Sequence, residues 1–176
     1  MIKKLVKKEG LIQEFLRIDA NLIRQKYLTK KLPEGYQIKR KKPKGNVAVV
    51  EIHLTNKTSF TIGATSKRGF NLNSQSKRIE SPIPMPKPRS KGGQFQPIID
   101  PYSGRNTPMN TDAEYKALSA LADTLDEFVP KDEHEGKLYL YTERKPCQSC
   151  QGILQQFQEK YPLIDIAGVY WDLPYP

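Results

Sequence analysis

Cys147 and Cys150, the two cysteines of this 176-residue chain, stand in Lys145-Pro146-Cys147-Gln148-Ser149-Cys150, a spacing that can do chemistry. Upstream, Leu138-Tyr139-Leu140-Tyr141-Thr142 has the apolar and aromatic composition of a buried strand. Downstream, Ile153, Leu154, Phe157 and Tyr161 fall on the apolar stripe of a helix. Pro146 suits the start of that helix, because a missing N–H costs nothing in a first turn. Both sulfurs then share one helix face, where the macrodipole favours thiolate over thiol. Such a pair is half of a zinc site or a redox couple. A thioredoxin-like couple needs a further hairpin and helix, and 26 residues follow Cys150, so length disfavours that reading.

Zinc held by two thiolates needs at least one more protein ligand. His53 lies in an apolar run and reads as a hydrogen-bonded packing residue, while His134 lies in an acidic turn and reads as exposed. The stretch that stands out is Asn110-Thr111-Asp112-Ala113-Glu114 at the start of a long amphipathic pattern. Taken alone it is a helix start: Thr111 with Glu114 three residues on is a capping box, and acidic side chains suit a first turn.

The elements that must position these residues follow from periodicity. A helix is expected over roughly Glu9 to Lys30, with Leu11, Ile12, Phe15, Leu16, Leu22, Ile23 and Tyr27 on one face. That face reads as packing on the domain rather than lying on a membrane. Asn46 to Leu54 and Ser59 to Ala64 read as a hairpin. Residues 68–111 carry seven of the 14 prolines, show no secondary-structure period, and read as one long loop. Asp112 to Phe128 is the clearest helix, with Leu118, Leu121, Ala122, Leu125 and Phe128 as its buried stripe. A strand at Leu138, the Cys147 helix and a strand from Ile164 to Trp171 complete an α/β sheet whose last two strands are parallel. Residues 1–45 form a basic N-terminal helical extension and 46–176 the main domain.

Net charge is +10, and it is unevenly spread. Met1 to Thr111 holds 23 Lys+Arg against 7 Asp+Glu; Asp112 to Pro176 holds 6 against 12. A basic segment of this kind suits a polyanion, nucleic acid being the commonest. Within the long loop, Lys77, Arg78, Lys87, Arg89, Lys91 and Arg105 alternate with Phe70, Phe95 and Tyr102, the mixture of cations and aromatic faces that single strands need. The alternative is a polar loop whose aromatic rings tuck onto the core. No run of eighteen apolar residues suggests a membrane span, and no cleaved secretory signal follows the basic start. A close cysteine pair gives no disulfide framework and suits a reducing compartment or a metal.

Asp-x-Glu at the start of one helix and Pro-Cys-x-x-Cys at the start of the next, with a strand between, resembles the zinc-dependent deaminase signature of His-x-Glu followed by Pro-Cys-x-x-Cys. From the hairpin at Asn46 to Trp171 the order of elements also resembles the cytidine deaminase-like fold. That fold is an α/β/α sandwich, here with a mixed four- to five-stranded sheet, and Tyr36-Gln37-Ile38-Lys39 is a candidate for a further edge. Within that superfamily, Thr111 to Lys116 and the strand before Pro-Cys-Gln-Ser-Cys are most similar to nucleic-acid deaminase domains of bacterial polymorphic toxins. The resemblance implies that Asp112, Cys147 and Cys150 hold Zn²⁺ and that Glu114 shuttles protons. It also places Asn73, Asn71 and Phe70 where deaminases contact the substrate. Asp112 stands where the signature has His, which makes the ligand set one unit more negative.

The function so implied is hydrolytic deamination of cytosine in single-stranded nucleic acid, DNA favoured over RNA. An immunity protein as partner, delivery as an effector and a cytoplasmic site of action come with the toxin resemblance. Two other readings stay open: a free nucleoside or nucleotide deaminase, and a non-catalytic, zinc-stabilised nucleic-acid-binding module.

Overall fold

In a computed structural model of the chain, residues 2–27, 46–65, 69–72, 81–83, 86–97, 113–146 and 148–173 are described. The elements in order are α1 (Ile2–Tyr27), β1 (Val47–Leu54), β2 (Ser59–Thr65), β3 (Gly69–Leu72), β4 (Ser81–Ile83), α2 (Ala113–Phe128), β5 (Gly136–Thr142), α3 (Gln148–Lys160) and β6 (Ile164–Tyr170). They build one six-stranded sheet of order β4-β3-β2-β1-β5-β6. Every neighbouring pair is antiparallel except β5 and β6, which run parallel with α3 as the crossover. This is the expected α/β architecture, with six strands rather than the four to five expected because residues 69–83 add two outer strands, and its mixed sheet is consistent with a cytidine deaminase-like fold.

Alternation along β1 separates the two faces of the sheet. Ala48, Val50, Ile52 and Leu54 join Leu118, Leu121 and Leu125 of α2 and Ile153 and Phe157 of α3 in the main core. Val47 and Val49 point the other way and pack with Tyr139 and Tyr141 of β5 against Leu16, Ala20 and Ile23 of α1. Helices therefore cover both faces, and the first helix shares a core with the sheet.

The structure corrects the reading of α1. It begins at Ile2 rather than at Glu9 and is described to Tyr27, the expected end at Lys30 lying outside the described residues, and its wide apolar arc is split. Leu16, Ala20 and Ile23 are buried, while Leu11, Phe15, Ile18 and Leu22, spaced four, three and four apart, face solvent. One flat sheet can cover only part of a helix circumference. The end of α2 is corrected for a similar reason: Phe128 is 66 % exposed, and Val129, four residues after Leu125, takes the buried position instead. His134 is not exposed, as its acidic neighbours suggested. Its Nε2 lies 3.1 Å from the carbonyl of Leu125 and 2.9 Å from that of Val129 and must be the donor, closing the last turn of α2. His53 is hydrogen-bonded as expected, with Nε2 2.9 Å from Glu51 Oε2, but its side chain is exposed rather than packed.

Residues 68–111 are not one structureless loop. They supply β3 and β4, the two outer strands beyond β2, and a 3-10 turn at Arg89–Lys91. Short strands rich in Gly and Pro carry no readable period, which is why the sequence hid them. Phe95 is fully buried against Phe157, with ring centroids 6.0 Å apart, so this ring is core and not a platform for bases. Around it, Gln96 N–H donates to Gln156 Oε1 (2.8 Å) and Gln156 Nε2 donates to the Gln96 carbonyl (3.0 Å). Gln94 Nε2 donates to Asp123 Oδ1 (2.8 Å) and Asp126 Oδ2 (2.9 Å). Tyr102 and the candidate edge Tyr36–Lys39 lie outside the described residues.

Two carboxylates tie elements together and predict an acid response. Asp172 is held below its ordinary value of 3.8 by hydrogen bonds from Arg17 and Tyr141. Burial alone would raise Asp126, but hydrogen bonds from Lys160, Gln94 and Tyr161 outweigh it and hold its carboxyl low as well. Both shifts are depressions, so the stabilisation is complete above the unfolded value and is lost as pH falls through the folded ones. We expect urea midpoints to be flat from about pH 6 to 5 and to drop below about pH 4, the unfolded carboxylate range. The Asp172→Asn protein should drop less steeply; an equal slope would show that this contact stores no pH-dependent stability.

Candidate active site

Glu114 is the second residue of α2 and is 3 % exposed. Its Oε1 accepts hydrogen bonds from Thr142 Oγ1 at 2.5 Å and Asn46 Nδ2 at 2.9 Å. Asn46 Nδ2 also donates to Thr142 Oγ1 at 2.8 Å, which closes a triangle of three side chains. The triangle fixes the rotamer of the amide: turned over, Asn46 would set its carbonyl oxygen against a carboxylate. No described residue donates to Glu114 Oε2. Two donors on one oxygen thus hold the carboxylate in place.

Strand order explains why these residues meet. Asn46 precedes β1, Thr142 ends β5, and the register that pairs Ala48 with Thr142 brings both to one end of the sheet. Their neighbours Val47 and Glu143 face α1, so alternation turns Asn46 and Thr142 toward α2. The same end carries the C-termini of the parallel pair β5 and β6, where open α/β sheets place their ligands. The Asn46 Oδ1 atom is buried and has no hydrogen-bond partner among the described residues.

Cys150 lies in the first turn of α3 and is 3 % exposed. Pro146 is buried, and its carbonyl accepts from Gln151 Nε2 at 3.3 Å, so the turn before α3 is tied to the helix. Asp112, Cys147 and Asn73 lie outside the described residues, as do the side chains of Asn71 and Phe70, whose backbone runs in β3. Among the described residues no group of three His, Cys, Asp or Glu side chains gathers as a metal site. The donor chemistry of the one described ligand candidate suits zinc: a buried thiol at a helix start, where the dipole favours thiolate.

Asn46 and Thr142 escaped the sequence reading, which took each as part of its strand. The available signal was polarity: an amide before Val-Ala-Val-Val and a hydroxyl after Leu-Tyr-Leu-Tyr. Lys116 was also missed. It is 3 % exposed, one turn beyond Ala113 on α2, with Nζ 3.4 Å from the Thr65 carbonyl at the end of β2.

A family model for toxin deaminases, the BURPS668_1122 family of deaminases, matches residues 26–172. The chain belongs to that family. Neither the curated proteins nor the solved structures contain a match to it. The Glu114 carboxylate is oriented by Asn46 and Thr142 and closed off from solvent. In this toxin deaminase the carboxylate is anchored by β1 and β5, two neighbouring strands of the sheet, and not by its own helix.

Proposed function

We propose that the protein is a zinc-dependent deaminase that converts cytosine to uracil in single-stranded nucleic acid, with DNA favoured over RNA. The observation that supports this most is the buried, doubly anchored Glu114 carboxylate in a chain of a deaminase family. Asp112, Cys147 and Cys150 would hold the zinc. Bound zinc supplies acidified water, making hydroxide available near neutral pH. Glu114 would accept one proton from the water and deliver it to ring N3, then take the proton of the new C4 hydroxyl and deliver it to the departing amine. In balance, a C4–O bond forms, the C4–N4 bond breaks, and ammonia leaves. Asn71, Asn73 and Phe70 are the residues proposed to contact the nucleotide.

The polymer substrate is supported by charge. The excess of Lys and Arg before Asp112 suits a phosphate backbone better than a free nucleoside, which needs a small pocket and no cationic surface. With the toxin family come two further proposals: an immunity protein that restrains the enzyme, and delivery as an effector that acts in a cytoplasm. None of the described helices is long and apolar enough to cross a membrane.

The test is to incubate purified protein and zinc with random single-stranded DNA and RNA pools and sequence the products. Cytosine-to-uracil changes in the DNA pool are expected, with log affinity falling linearly as log salt rises, by about 0.7 per phosphate contact. Turnover of free cytidine with no salt slope would favour the nucleoside reading instead. Zinc retention with no conversion in any pool would favour a non-catalytic binding module.

A further inference from the structure

Arg24 lies on α1, two positions before the family-matched segment begins, on the opposite side of the sheet from Glu114. Its guanidinium grips Glu143 with both arms: Nε donates to Oε2 at 2.5 Å and Nη2 donates to Oε1 at 2.5 Å. The pair is well shielded, with side-chain exposures of 17 % and 11 %. Glu143 Oε1 also accepts the Val47 N–H at 2.9 Å, while the Glu143 N–H donates to the Val47 carbonyl at 3.1 Å. One side chain thus ties α1 to the paired ends of β1 and β5.

The residues next to those two contacts are Asn46, adjacent to Val47, and Thr142, adjacent to Glu143. These are the two groups that hold Glu114 Oε1 on the other face. The strand ends are therefore clasped from both sides, by an ion pair on one face and by the carboxylate triangle on the other. A planar fork gripping a carboxylate fixes direction as well as distance, which a lysine point charge does not.

We infer that Arg24 is a positioning residue for the Glu114 carboxylate, acting through Glu143 and the β1–β5 strand ends, so that α1 is a working part of the active site. Without the fork, the strand ends keep their ladder but lose the restraint that sets where Asn46 and Thr142 point. Displacements near 1 Å at a distance from the chemistry cost catalysis on the order of a hundredfold, and a loosened strand end should cost part of that. This inference rests on the deaminase reading of Glu114, but one arm of its test does not.

In the Arg24→Ala protein, kcat for cytosine conversion in a single-stranded DNA oligonucleotide should fall about ten- to hundredfold with KM little changed. Arg24→Lys should lie between it and the wild type. The control is Ala20→Gly, which weakens the same helix and leaves the ion pair intact: it should lower the melting temperature and leave kcat unchanged well below melting. Independently of turnover, the Asn46 side-chain amide protons should exchange slowly with solvent in the wild type and in Ala20→Gly, and quickly in Arg24→Ala. Should Arg24→Ala fail to fold, Arg24→Lys decides the matter through the same two readouts. Unchanged kcat together with an unchanged Asn46 amide in the Arg24 variants would overturn the inference. Fast amide exchange in Arg24→Ala with no turnover in the wild type would uphold the clasp and sink the deaminase reading instead.

Discussion

Glu114→Gln should yield a folded protein that keeps its zinc and has lost deamination by about 10²- to 10⁴-fold, the range a positioned general acid–base supplies. Glutamine is the informative replacement because its amide oxygen can still accept from Thr142 Oγ1 and Asn46 Nδ2, the two donors that meet at Glu114 Oε1. The triangle survives while the proton carrier is gone. Alanine, by contrast, strands two buried donors, which costs on the order of 1–3 kcal/mol for each group left unsatisfied, and so mixes stability with chemistry. Uracil formation on an oligonucleotide, read beside the metal content and the melting curve of the same sample, separates the two effects. Wild-type turnover in Glu114→Gln would return the residue to a structural part.

Phe95→Ala should be among the most destabilising single changes in the described chain. The ring is fully buried between α2 and α3, stacked at a tilt on Phe157, and its backbone is held on both sides. Its carbonyl accepts from Arg89 N–H at 3.0 Å and lies 3.5 Å from the Tyr115 hydroxyl. Emptying such a site costs about 3–5 kcal/mol, which for a chain of this size lowers the melting temperature by roughly 10 °C. The same change should open residues 86–97 to protease before the rest of the fold. A loss below about 1 kcal/mol would mean that the ring contributes as a surface residue does, and the core assignment would fall with it.

The order helix, hairpin, helix, strand, helix, strand was legible because each long element carries its own period. Leu118, Leu121, Leu125 and the alternation along Val47 to Leu54 are local signals that tertiary packing then respected. Glu114 drew notice through the resemblance of its Asp-x-Glu run to the deaminase signature, since taken alone it reads as a helix cap. What could not be read was everything set by partners distant in sequence. Asn46, Thr142 and Glu114 are separated by 28 to 96 residues, and no periodicity joins them. Phe95 looked like one more aromatic ring among prolines and lysines, since burial of a loop residue depends on which helices close over it. The arc of α1 was read as a single face because hydrophobicity along a helix counts apolar residues without saying how many the neighbouring sheet can cover.

That uncovered arc bears on how the protein behaves in a test tube. Leu11, Phe15, Ile18 and Leu22 form a greasy ridge on a molecule carrying a net charge of +10. Mutual repulsion between like-charged molecules keeps such ridges apart in dilute buffer, and added electrolyte shortens the reach of that repulsion to about 3 Å near 1 M. Structure-making salts strengthen apolar association at the same time. Concentrated salt is therefore the medium in which the ridges find one another, and purification has to keep electrolyte low enough to avoid clumping.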